Sequence, residues 1–341
     1  MTGAAVATVP ACAIPGGIVC VTFDPPRPVS SAIPQIRVGD APARVVGASS
    51  RHLRFRVPSG TDGGVLPVRI ESDGLDVGTV TVARPHVDGL HQVDSPAFDG
   101  LGRLYVTNSG SRGVKTPVPL HRVWPDGRRE PLAVEIPNPT SLALGPDGAM
   151  YVSSRFEGQV YRLADDDTVD VYASDLGVPT GLAFAGDGTL FVGDRSGTIF
   201  RVSRDRQVDT FASLPPSVAA FHLAFGPDDH LYVSAPTLSA HDVVYRISPD
   251  RLVDSCGRGF GRPQGLAFDH DGTLYVVDAL AGASGVDRLA PLPEPLAPAR
   301  VVAAPAIVGL AFDPRGGVVV ASSDTIWRFD GPLGEVRGVT R

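Results

Sequence analysis

One histidine stands in a register whose other members are small. His222 precedes Leu223, and the residues at the same place before equivalent positions are Ser95, Ser141, Gly181, Gly265 and Gly309. An imidazole in space that small residues otherwise leave open is suited to general base work or metal ligation, because it titrates near neutral pH. The competing reading is a histidine that fills a local gap with its hydrogen bonds satisfied. One residue earlier the register reads Asp94, Thr140, Thr180, Phe221, Gln264 and Val308. Asp94 and Gln264 are its candidates to join His222 in a polar core, with Asp94 and His222 as the catalytic pair.

A second set of polar residues follows the same spacing: Asn108, Ser154, Asp194 and Asp278, with Arg155 and Arg195 one step beyond two of them. Asn108, Arg155, Asp194 and Asp278, together with Asn138 and His241, are candidate substrate-binding residues. Asp194 and Asp278 equally suit the simpler work of tying turn backbone, as short polar side chains often do. The chain has no G-x-S-x-G elbow, H-E-x-x-H, P-loop or dinucleotide fingerprint, which removes support for serine-nucleophile, zincin and nucleotide chemistry.

These residues spread over more than a hundred positions, as from Asp94 to His222 and Gln264, so only a repeating scaffold brings them to one place. The segments PNPTSLALGPDGAMYVSS, GVPTGLAFAGDGTLFVGD, VAAFHLAFGPDDHLYVSA, GRPQGLAFDHDGTLYVVD and AIVGLAFDPRGGVVVAS put an equivalent leucine at Leu142, Leu182, Leu223, Leu266 and Leu310, steps of 40, 41, 43 and 44 residues. A diverged first copy reads VDSPAFDGLGRLYVTN. Each copy holds a short apolar run, a turn often built on Asp-Gly, a second apolar run and an alternating third strand such as Val160-Tyr161-Arg162-Leu163; a fourth is weaker. Four antiparallel strands at this period are what a propeller blade requires. Six copies predict six blades over residues 84–341, with the start of each innermost strand and the end of each second strand at one face, around the mouth of a central channel. The Asp-Gly turns fall on the opposite face and read as structural. Blade six has a candidate outer strand of its own at 335–339, and the manner of ring closure stays open.

Before residue 84 the repeat is missing. Alternating segments at 18–22, 35–38, 43–46, 52–57, 65–70 and 79–82 predict a small immunoglobulin-like β-sandwich over residues 1–83. The fold class expected is therefore all-β: a six-bladed β-propeller preceded by this sandwich. Composition agrees, since 39 glycines and 32 prolines without a collagen-like period suit many short strands and tight reversals. A net charge of -7 with no basic run argues against nucleic-acid binding. No run of 18 apolar residues argues against a membrane span, and the N-terminus lacks a basic and apolar leader, so a cytoplasmic location is expected. Cys12, Cys20 and Cys256 have no metal-ligand spacing; they read as small buried hydrophobes, with a Cys12–Cys20 pair open in an oxidising compartment.

IPGGIVCVTF, QIRVGDAPARVV, LRFRVPSG and GGVLPVRIES resemble the IPT/TIG immunoglobulin-like domain over about residues 5–83. That resemblance implies a module for spacing or for a protein partner. The P-x-G-L-A-F and D-G-x-L-Y-V patterns resemble NHL-type propellers and the senescence-marker-protein/gluconolactonase family over about residues 85–341. The second resemblance implies a small-molecule ligand at the channel mouth, lactone hydrolase or lyase chemistry, and one divalent cation (Ca, Mg, Mn or Zn). Asp94 sits where that family places its first-blade glutamate, and Gln264 offers an oxygen, so these two are the implied metal ligands. Thr140, Thr180, Phe221 and Val308 depart from the pattern, and a hard cation with one charged ligand binds weakly. The rival expectation is a non-catalytic NHL-like scaffold that binds a protein or a glycan.

Overall fold

The computed structural model describes residues 5–28, 32–111, 113–289 and 298–333. Its only helical element among these is a single 3-10 turn, Glu71–Asp73; the rest is strand, turn and loop.

Five separate four-stranded antiparallel sheets carry repeats one, two, three, four and six. In repeat two the order from the inside is Pro139–Leu144, Met150–Ser154, Gln159–Leu163 and Val169–Ala173, and each strand pairs with its sequence neighbour. The hairpin between the first two closes by Gly148 N–H donating to Gly145 O at 3.0 Å, while Ala149 N–H donates to Asp147 Oδ1 at 3.2 Å. Gly148 holds a φ of 78°, a conformation that side chains disfavour, so the Asp-Gly pairs are turn chemistry as expected. The inner strands touch their neighbours in order, and that of repeat six, Gly309–Phe312, touches that of repeat one, Ala97–Phe98, to complete a propeller ring.

Closure comes from the other end of the sequence. The outermost strand of the sixth sheet is Arg84–Val87, antiparallel to Ile326–Phe329, so one blade is assembled from both sides of the repeat region. The expected outer strand at 335–339 lies outside the described residues. The seam is tied further by buried Asp313, which accepts from Arg315, whose Nη2 in turn donates to Gly102 O of the first repeat at 3.1 Å.

The boundary between the two expected units is where structure and expectation differ. Five blades are discrete, not six. The strands of repeat five, Pro263–Phe268, Leu274–Asp278, Gly285–Leu289 and Ala299–Ala303, belong to a twelve-stranded sheet together with the N-terminal strands. The link is a two-residue strand, Cys12–Ala13, parallel both to Ala299–Ala303 and to Leu75–Val82. Both its side chains are buried, and the small Ala13 lies in a core shared by Val19, Phe55, Val82 and Ala303. Short strands with an apolar small-residue face can serve two sheets at once. Within the N-terminal strands the alternation is as read: Ile18–Asp24 and His52–Arg56 bury every second residue. Cys12 is buried and Cys20 and Cys256 are half-buried, and the structure forms no Cys12–Cys20 disulfide.

Two outcomes follow. Val87 is buried in the core of the closing blade, so Val87→Ala should lower stability by about 2 kcal/mol in chemical denaturation, from lost methyl burial and the cavity left behind. His121, on Leu120–Val123, is buried, with Arg129 Nη2 at 2.9 Å from its Nε2, and desolvation with that guanidinium lowers its pKa from 6.5 to about 4. The unfolded chain takes up this proton first as pH falls, so the contribution is complete above pH 6.5 and lost as pH falls towards 4. Stability measured across that window should fall less steeply in His121→Gln.

Candidate functional site

The inner register is small because the inner strands meet edge to face around the axis. A Cβ added at Gly181 would lie 2.5 Å from Phe221 O, one at Gly265 2.5 Å from Gly309 Cα, and one at Gly309 2.4 Å from Ser95 Cα. Ser95 and Ser141 fit because their hydroxyls accept from the next strand: Leu310 N–H reaches Ser95 Oγ at 3.3 Å, and Leu182 N–H reaches Ser141 Oγ at 3.2 Å.

His222 cannot follow that rule, and its ring goes elsewhere. His222 Nδ1 is hydrogen-bonded to Asp94 Oδ1, and both residues are buried, at 1% and 4% exposure. Repeats two and three separate them in one direction around the ring, repeats five and six in the other. The pair therefore spans the central channel. Asp94 Oδ1 also accepts from Ser95 N–H at 2.6 Å, which fixes the carboxylate. His222 Nε2 is buried and has no hydrogen-bond partner among the described residues.

A cavity of about 320 Å³ takes lining residues from every repeat: Val93, Thr140, Thr180, Ala220, Gln264 and Val308. His91, Gln92, Arg155, Arg195 and Ser323 complete the polar and apolar wall described below. Three of the six residues in the register read from the sequence as Asp94, Thr140, Thr180, Phe221, Gln264 and Val308 do not behave alike. Thr180 Oγ1 accepts from Phe221 N–H at 2.9 Å, Phe221 turns its ring into the core, and Asp94 lies behind the lining. Asp94 is one residue along the chain from Val93 and His222 two from Ala220, both of which line the cavity, while the pair itself is not part of the lining. The expectation that Asp94, His222 and Gln264 share one open hollow is corrected in this respect: two are buried together and the third lines the space.

The remaining candidates divide by what their polar atoms already hold. Asn138, 1% exposed, donates through Nδ2 to Ser109 O at 2.7 Å and Ser111 O at 2.9 Å, and accepts from Gly113 N–H at 2.8 Å. Asn108 donates to Val118 O at 3.1 Å. Both side chains tie down the long loop of repeat one. Asp194 accepts from Val178 N–H at 2.8 Å and from the Ser196 hydroxyl; Asp278 accepts from Arg262 N–H at 2.8 Å and Gly261 N–H at 3.1 Å. These are the turn-tying roles that competed with substrate binding in the sequence. His241 is exposed on its loop and is not among the cavity-lining residues. Arg155 does line the cavity, as does Arg195, whose Nη2 donates to Val218 O at 2.9 Å and Nε to Ser217 O at 3.3 Å.

His91 and Gln92 escaped the sequence reading. They precede the diverged first copy, where the period gives no register, and Gln92 is placed by its N–H donating to Ser323 O at 2.8 Å. Its side chain is 1% exposed, and neither amide atom has a partner among the described residues. Adjacency to the VDSP segment was the available signal. The lining carries two guanidinium groups and no carboxylate, so its charge favours an anion or a carbonyl oxygen that gains negative charge.

A divalent cation does not fit these donors. Asp94 offers the only carboxylate of the ring and its Oδ1 already serves His222 and Ser95, while Gln264 is in the lining above. Among the described residues no group of three or more His, Cys, Asp or Glu side chains is placed to hold a metal. Ca and Mg take six or more oxygens, and zinc takes three or four nitrogen, sulfur or oxygen ligands.

The architecture defines an all-β propeller with an axial cavity at one face. No family model matches the chain, and no curated protein does. Solved structures share its fold. A protein named as a candidate gluconolactonase is 18% identical, with 76% of this chain and 94% of that one covered at a TM-score of 0.60. A catalytically inactive histidine-to-alanine variant of virginiamycin B lyase from Staphylococcus aureus, with quinupristin, is 16% identical, covering 86% and 94% at 0.53. An auxiliary nutrient binding protein from Bacteroides ovatus ATCC 8483 is 12% identical, covering 96% and 98% at 0.55.

The cross-channel pair generates one energetic expectation. Asp94→Ala leaves a buried imidazole with neither nitrogen partnered, and His222→Ala leaves a buried carboxylate with one backbone donor, so each should destabilise by about 2 kcal/mol or more. A double-mutant cycle in urea should return a coupling of about 1–3 kcal/mol between them, whereas independent gap-filling residues would give additive losses.

Proposed function

We propose that this propeller opens a cyclic ester at its channel mouth, as a lactone hydrolase or lyase, with His222 as general base. The observation that carries this reading is the buried His222–Asp94 pair, whose Nε2 has no hydrogen-bond partner among the described residues, on segments whose neighbouring residues Val93 and Ala220 line an axial cavity that also takes in Arg155 and Arg195. With Nδ1–H held by the carboxylate, the imidazole is the tautomer whose Nε2 bears a lone pair, and Asp94 stabilises the imidazolium formed when Nε2 takes a proton. In hydrolysis that proton comes from water attacking the ester carbonyl. In elimination it comes from carbon, and the ring C–O bond breaks. Both routes end in a carboxylate, and in this reading Arg155 and Arg195 of the cavity lining supply the positive charge that meets it. Because Nε2 is covered, the lining next to Val93 and Ala220 must shift as substrate enters, in line with catalytic contacts that tighten only in the complex. The gluconolactonase-like and lyase-like relatives of this fold support the class by analogy. In this reading the strands of repeat five count as a sixth blade, and the N-terminal strands are an immunoglobulin-like unit open to a protein partner.

A second reading is favoured by the burial of Nε2 itself and by the nutrient-binding relative that matches almost the full length: a scaffold that retains a glycan or other small molecule without turning it over. The two separate in one experiment. A panel of sugar lactones and cyclic depsipeptides should show turnover that falls at least 100-fold in His222→Gln and Asp94→Asn, with less effect from Gln264→Ala. Saturable binding of panel members without turnover, unaltered by His222→Gln, would leave the scaffold. A thermal-shift series with Ca, Mg, Mn and Zn should give no cation-specific rise, since the donor set is poor for each.

A further inference from the structure

A second cavity lies far from the channel, between the N-terminal strands and repeat five. It encloses about 320 Å³, and its polar wall is Arg54 and Arg56 from one side with Ser284 and Arg300 from the other. The strand His52–Arg56 explains the first pair: Leu53 and Phe55 are buried in the N-terminal core, so Arg54 and Arg56 must emerge together on the opposite face. Repeat five explains the second. A Cβ at Gly285 would lie 2.6 Å from Arg300 Cδ and 2.1 Å from Val302 O, so glycine there lets Arg300 pass close to its neighbouring strand.

The charges in this cleft are unequal. The lining contains three guanidinium groups and no carboxylate, in a chain of net charge -7. Arg300 is matched by Asp287, at 2.7 Å from Nε and 3.1 Å from Nη2. Arg54 and Arg56 make no ion pair with any described residue; Arg56 Nη1 donates to Gly16 O at 3.2 Å. Ser284 is 6% exposed, and its hydroxyl has no hydrogen-bond partner among the described residues. An unpaired buried hydroxyl costs about 1–3 kcal/mol and calls for a specific partner.

We propose that this cleft binds a small oxyanion, a phosphate- or carboxylate-bearing molecule, between Arg54 and Arg56 on the N-terminal side and Ser284 and Arg300 on the propeller side. An oxyanion accepts from guanidinium groups in fixed geometry and, once the covered Ser284 hydroxyl turns into the cleft, from that donor too, which a halide or a neutral ligand does not do equally well. Because its donors come from both sides, the bound anion ties the N-terminal strands to repeat five and stabilises the folded chain by mass action.

Titrations of the full chain with inorganic phosphate and, separately, citrate, against sodium chloride at matched ionic strength, test this by calorimetry and thermal shift. Saturable binding of at least one anion is expected, and the arm that binds more tightly identifies the headgroup. Affinity should fall at least tenfold in Arg54→Gln/Arg56→Gln, whose side chains point away from the core, and several-fold in Ser284→Ala. It should persist in Arg155→Gln/Arg195→Gln, which removes the channel-mouth charges. Absence of saturable binding in both arms, binding that survives the Arg54/Arg56 change, or binding lost only with Arg155 and Arg195 would each overturn the proposal.

Discussion

Around the propeller axis the inner strands come too close for side chains at one register, and much of the site follows from that crowding. Glycine or serine occupies it in every repeat but the fourth, which carries His222; backbone of the adjoining strand stands within 2.4–2.5 Å of the Cβ that Gly181, Gly265 or Gly309 would carry. His222 therefore has no room towards the next strand and extends across the channel to Asp94. A polar pair buried this deeply persists when its atoms are hydrogen-bonded. Asp94 meets that condition through His222 and Ser95, whereas His222 meets it at one nitrogen and leaves the other without a partner among the described residues.

What lies above that pair is shaped by residues that do no chemistry. Asn138 and Asn108 fasten the long loop of repeat one, and Asp194 and Asp278 fasten turns at the ends of second strands. With those backbones fixed, Arg155 and Arg195 stand at the rim. Arg195 is held there by two carbonyl oxygens, which leaves its positive charge unneutralised by that contact. The cavity is walled by guanidinium groups, hydroxyls and an amide without a partner among the described residues, and its lining holds no carboxylate.

The same economy of strands governs the junction. Cys12–Ala13 serves as an edge for both neighbours, and Arg84–Val87 completes a blade whose other strands come more than two hundred residues later. The N-terminal strands and the propeller are thus bonded by backbone on one side and separated by an arginine-rich cleft on the other. Any anion held in that cleft would bear on the sheet that joins them.

The sequence by itself determined the repeating module, the all-β class, the Asp-Gly turn chemistry and the odd status of His222, because a period near forty residues and a two-residue alternation are local patterns. It also marked Asp94, Gln264 and Arg155 as residues at the channel end of their repeats. Only the tertiary structure decided which of them meet. Local sequence carries no information about which strands adjoin across a ring, so the partnership of His222 with Asp94, the turning of Phe221 into the core, the use of Asn138 on a loop and the merging of repeat five with the N-terminal strands were all invisible there. Closure by Arg84–Val87 was hidden for the same reason: a strand's outer partner is set by hydrogen bonding between chain ends that no periodicity connects.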